Sequence, residues 1–101
     1  MSRDLHPTEG ARLLLTLSQA AEGSAAYSVA IYTPTETFAA AATLGEDGSV
    51  ELAPTGAPPE LHAALEMLAK LTARGAAKRR EDGMPAWPAR VLRWRGAGRG
   101  L

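Results

Sequence analysis

The chain has 101 residues, 11 basic and 11 acidic side chains, and no cysteine. That length makes one domain, and the lack of cysteine excludes disulfides, thiol catalysis and cysteine-based metal sites. The neutral total hides a split: residues 1–66 carry two arginines against nine acids, a balance of −7, and residues 67–101 carry nine basic residues against Glu81 and Asp82, a balance of +7.

Residues 1–10, with Pro7 and Gly10 and no periodicity, read as a mobile lead-in. Met1 to Asp4 lack the apolar core of a signal peptide. The run Leu13-Leu14-Leu15 is far too short to span a bilayer.

Four segments then alternate with period two, the signature of strands with one buried face. In Arg12–Ser18, Leu13, Leu15 and Leu17 share a face, with Arg12, Thr16 and Ser18 on the other. In Tyr27–Thr33, Tyr27, Val29 and Ile31 alternate with Ser28, Ala30 and Tyr32. In Thr37–Leu44, Phe38, Ala40, Ala42 and Leu44 share a face, and in Ser49–Ala53 Val50 and Leu52 do. The first of these also fits helical spacing through Leu13, Leu14, Leu17, Ala20 and Ala21, with strand preferred. Turn-forming stretches separate the segments at Glu22–Ser24, Thr33–Glu36 and Gly45–Gly48. Asp47-Gly48 is a hairpin signal, because both residues tolerate positive φ. Three short connections between four strands predict an antiparallel meander.

A helix follows. Pro58 and Pro59 suit a first turn, where a missing N–H would have had no partner anyway. Leu61, Leu65, Leu68 and Thr72 form a stripe with Ala64, Ala69 and Leu71 beside it, and Glu66, Lys70 and Arg74 line the opposite face. The helix ends at Gly75 or runs on to Gly83. Met84–Pro88 cannot be regular structure. Ala89–Arg95 is ambiguous: Trp87, Val91 and Trp94 align if it is helical, Leu92 and Trp94 if it is extended. Residues 96–101, with three glycines, read as a flexible tail after a single α+β domain over 1–95.

The expected fold is therefore α+β: a four-stranded antiparallel meander, one principal helix across one face, and a Trp-containing C-terminal segment docked against them. Its order of four strands then a helix is similar to that of a class of single-stranded-DNA-binding coactivators. The similarity is one of element order alone. No motif of that class occurs, and the segments read as strands are acidic where a nucleic-acid platform would be basic. Of 46 apolar residues 21 are alanine, so the core must be thin. A thin core, and one helix for two sheet faces, point to a homodimer.

Chemistry-bearing constellations are few. His6 and His62 have no HxH, HxxE or HExxH spacing, so no metal is expected. Ser18, Ser24, Ser28 and Ser49 lack a glycine elbow, and Glu46-Asp47 sits in a wet hairpin tip, whereas a general acid needs a water-poor pocket. Gly96–Gly100 precedes no helix that would hold a phosphate. No cofactor and no enzymatic activity are expected. The remaining candidate is the basic end, Lys78, Arg79, Arg80, Arg90, Arg93, Trp94 and Arg95. Arginines with an interleaved indole suit a protein partner with an acidic surface. Alternatively they suit single-stranded nucleic acid, with phosphates on the arginines and a base on the indole. The absence of cysteine fits a reducing cytoplasm, which is the expected location.

Overall fold

A computed structural model describes residues 6–96. The chain is α+β. Five antiparallel strands form one sheet, β1 (Ala11–Ala21), β2 (Ser24–Tyr32), β3 (Thr37–Gly45), β4 (Val50–Leu52) and, after the helices, β5 (Arg90–Arg95), in the order β4-β3-β2-β1-β5. Between β4 and β5 come α1 (Pro59–Arg74) and α2 (Ala76–Glu81).

The first four strands form the meander the alternation predicts. Leu13 and Leu15 of β1, Tyr27, Val29 and Ile31 of β2, and Ala42 and Leu44 of β3 are buried on one face. Burial decides against the helical alternative for β1, because Leu14 points to the other face and is only half-buried. A bulge at Ser18 shifts the β1–β2 register between Leu17 and Gln19. The β3–β4 hairpin turns at Asp47-Gly48. The Asp47 carboxylate accepts from the Ser49 backbone N–H at 3.0 Å and from its hydroxyl at 2.6 Å, and Gly48 takes φ 91°.

Helix α1 begins as expected, with Pro59 in its first turn and the Pro58 carbonyl accepting from His62 N at 3.0 Å. Its buried residues are Leu65, Leu68, Ala69, Thr72 and Ala73. They lie on the helix-side face of the sheet, where Ala40 and Ala42 permit close approach. Both readings of the helix end hold in part. The axis bends at Gly75, which keeps right-handed helical angles (φ −84°, ψ −3°), and α2 then continues to Glu81. A Cβ at Gly75 would stand 2.7 Å from Arg79 Nη1, so a side chain there would displace the end of the Arg79 guanidinium.

Two expectations change. The Trp-containing segment is a fifth strand at the sheet edge, because Leu17 N donates to Ala89 O at 2.9 Å and opens a ladder along β1. Residues 6–10 are not a mobile lead-in. His6 Nδ1 lies 2.6 Å from the Thr33 carbonyl, Pro7 is buried, and the Glu9 carbonyl accepts from Trp94 Nε1 at 3.1 Å. Residues 1–5 and 97–101, including most of the expected tail, lie outside the described residues.

Candidate functional site

Strand β5 is placed by the loop that precedes it. Trp87, buried against Tyr27 with ring centroids 6.4 Å apart, plugs the core end of Met84–Pro88. The Tyr27 hydroxyl then donates to the Pro88 carbonyl at 2.7 Å. Burial raises the Tyr27 hydroxyl above its ordinary pKa, and Arg79 opposes that shift. From this anchor the chain extends along β1, and side chains alternate across the sheet. Val91 enters the core, and Arg93 and Arg95 lie on the same side. Arg90, Leu92 and Trp94 lie on the face that carries no helix. There Trp94 stands opposite Arg12, Leu92 opposite Leu14, and Arg90 opposite Thr16.

The seven candidate residues therefore fall into two groups. Lys78, Arg79 and Arg80 are on α2. Arg79 is a brace: its Nε donates to Ala86 O at 2.8 Å and its Nη2 donates to Thr72 O. Arg80 forms an ion pair with Glu46, and Lys78 one with Asp82 at 3.2 Å. These three are thus occupied at the end of the sheet where Glu46 N bonds Gly23 O in the turn after β1. Arg90, Arg93, Trp94 and Arg95 are on β5, with Trp94 paired near the start of β1. Among the described residues no ion pair joins Arg90, Arg93 or Arg95 to a carboxylate. Of the two indoles, Trp87 is 6% exposed and Trp94 57%.

The charge split of the sequence becomes a gradient across the sheet. The β5 edge is basic, and the β3–β4 edge carries Glu46, Asp47 and Glu51, four strand spacings or about 19 Å away. The strands themselves are not acidic, contrary to the sequence reading. Among residues of β1–β4 only Glu51 is an acid, and the other described acids in that half occupy turns, loops and helix. Arg12 joins the face of Trp94 and Arg90, with Tyr32 on its other side in β2. Arg12's alternation with Thr16 and Ser18 was the available signal for it; the pairing with Trp94 was not readable before β5 was placed.

Two shallow depressions of about 480 Å³ share Thr43 and Glu51 near the opposite edge. Neither holds a histidine, cysteine or cation. His62 Nδ1 lies 3.0 Å from Thr55 Oγ1, a local contact at the start of α1. Among the described residues no group of three or more metal-ligating side chains converges, and no helix is long and apolar enough to cross a membrane. No family model, curated protein or solved structure matches the chain.

Proposed function

We propose that this protein is a small interaction module of the reducing cytoplasm, paired with a second copy of itself, that offers the basic strand β5 to an acidic protein partner. One observation carries the reading: three of the six residues of β5 are arginines, on an edge of the sheet, that pair with no carboxylate among the described residues. Such a row raises the local concentration of anionic ligands. Pairing with a second copy would use the sheet face without a helix, where Leu14 and Leu92 stand opposite one another and Ala30 and Ala39 extend the strip across β2 and β3. A twofold axis running along the strands lays the β5 edge of that face, with Arg90, over the β4 edge of the other copy, which carries Glu51.

A second reading, single-stranded nucleic acid, is favoured by one observation. Trp94 is 57% exposed and shares its face with Arg12 and Arg90. Base stacking on an indole is worth about 1–3 kcal/mol.

Fluorescence anisotropy separates the two, with labelled poly-glutamate and labelled oligo-thymidine titrated at roughly 20 mM salt, where screening is weak. The acidic peptide is expected to bind, and the Arg90→Ala/Arg93→Ala/Arg95→Ala variant to lose it. Binding of the oligonucleotide without the peptide, weakened by Trp94→Ala and with a log–log salt slope of about −0.7 per phosphate, reverses the ranking.

A further inference from the structure

The backbone of β5, not only its side chains, is available on one side. Among the described residues β5 pairs with β1 alone, and its six residues extend roughly 20 Å. In an antiparallel pair, alternate residues exchange both backbone hydrogen bonds with the partner and the rest turn theirs away. The Leu17 N to Ala89 O bond fixes the phase. Val91, Arg93 and Arg95 face β1, and Arg90, Leu92 and Trp94 direct their N–H and C=O groups to the open edge. The Arg93 side chain agrees with this phase, since Nη1 donates to the Leu92 carbonyl at 3.0 Å.

The other edge offers no cationic row. β4 has three residues with Pro54, which cannot donate, two residues beyond it, and the stretch of β3 that β4 leaves uncovered, Thr37–Ala40, carries no charge. Nor does β5 suit a second copy of itself. Setting Arg90–Arg95 against Arg90–Arg95 places arginines near arginines, and like charges across a strand pair are destabilising. Edge strands rich in basic residues are one way sheets avoid self-pairing. The same row accepts a strand of opposite charge.

The geometry points to strand addition: an extended acidic segment of a partner protein adds to the sheet beside β5. This rests on the reading of β5 as the partner-facing element and specifies how it binds. The segment's carboxylates stand opposite Arg90, Arg93 and Arg95, and its apolar side chains opposite Leu92 and Trp94. Running antiparallel, that pattern reads Glu-Val-Glu-Val-Thr-Glu. The ligand's backbone takes the outward groups of Leu92 and Trp94, and the Arg93 guanidinium leaves the Leu92 carbonyl for a carboxylate.

The test titrates the full chain with a labelled Glu-Val-Glu-Val-Thr-Glu peptide and with two forms of it, N-methylated on one or the other alternate set of backbone nitrogens. In a strand, one set faces β5 and the other faces away. One methylated form is expected to bind roughly tenfold more weakly or worse, about the worth of one to two hydrogen bonds, and the other to bind like the parent. Hydrogen exchange should show the Leu92 and Trp94 amides newly protected, with those of Val91 and Arg93 protected throughout. If all three peptides bind alike and exchange at Leu92 and Trp94 is unchanged, strand addition is wrong and the acidic-partner reading stands. If neither these peptides nor poly-glutamate binds at low salt, both fail. A new β5–β5 pairing between copies, seen as Leu92 and Trp94 protection that depends on protein concentration without peptide, also overturns the proposal.

Discussion

Tyr27 and Pro88 lie 61 residues apart, and a 2.7 Å hydrogen bond from the Tyr27 hydroxyl to the Pro88 carbonyl joins them. Tyr27 is 1% exposed, on the strand two places in from β5. Its hydroxyl therefore reaches out of the core to fix the point where the chain leaves the helix side and becomes the sheet edge. The last strand is registered by this contact and by the Leu17–Ala89 bond before any of its arginines is placed.

Tyr27→Phe should lower stability by about 0.5–1.5 kcal/mol, the net worth of one such bond. It should also change the response to alkali. Burial raises the Tyr27 pKa above its ordinary 10.0 in the folded state. The fold thus favours the protonated hydroxyl. The stability this gives is complete below the unfolded value and is lost as pH rises through the folded one. Urea denaturation at about pH 8 and about pH 11 checks this, since ordinary tyrosine titrates near 10. Wild type should lose more stability between the two than Tyr27→Phe. Equal losses would mean that Tyr27 ionises in the fold as it does in the unfolded chain.

Leu65 is 0% exposed and Leu68 8%, both on the stripe of α1 that faces the sheet. Replacing either by alanine removes methyl groups from a core already thin in large side chains. Each change should cost about 2–5 kcal/mol in denaturant unfolding. Met67, 53% exposed on the same helix, is the control, and Met67→Ala should stay within about 0.5 kcal/mol.

Among the described residues the buried indole N–H of Trp87 has no hydrogen-bond partner. Its ring fills space beside Tyr27, whereas its nitrogen is desolvated with nothing in return. Trp87→Ala should cost about 3–5 kcal/mol through the lost ring. Trp87→Phe keeps an aromatic ring and removes the unpaired donor, a group whose burial costs about 1–3 kcal/mol, so its net effect should be far smaller. Comparable losses for both would show that the indole's extra volume, not its aromatic character, holds the loop.

The meander and α1 were legible in the sequence because one buried face imposes its own period. Tyr27, Val29 and Ile31 mark a strand; Leu61, Leu65 and Leu68 mark a helix. β5 was not, since Val91 is its only buried residue and one apolar side chain sets no period. What makes it a strand is pairing with β1, more than seventy residues earlier in the chain. The bend at Gly75 was half visible, because a glycine inside a helix pattern fits either a stop or a close packing contact. The basic residues were legible as a group but not in their separation. Arg79 is turned to the carbonyls of Thr72 and Ala86, and Arg80 to Glu46, 34 residues earlier, whereas among the described residues no carboxylate pairs with the β5 arginines.

The helix-free sheet face gives the last prediction. Leu14 and Leu92 are half-buried and directly paired there, beside the small side chains of Ala30 and Ala39. A flat strip of this kind packs on another sheet about 10 Å away with little obstruction. Sedimentation equilibrium at micromolar concentration should return twice the 10.6 kDa chain mass. Leu14→Glu buries a carboxylate in such an interface but is solvated in a lone chain. It should yield a monomer with unchanged far-ultraviolet circular dichroism. Arg90→Glu should weaken the dimer and leave the fold intact, because it sets a carboxylate, in place of a guanidinium, over the β4 edge that carries Glu51. A wild-type chain that stays monomeric at millimolar concentration would leave the Leu14–Leu92 strip in solvent and remove the second copy from the proposed module.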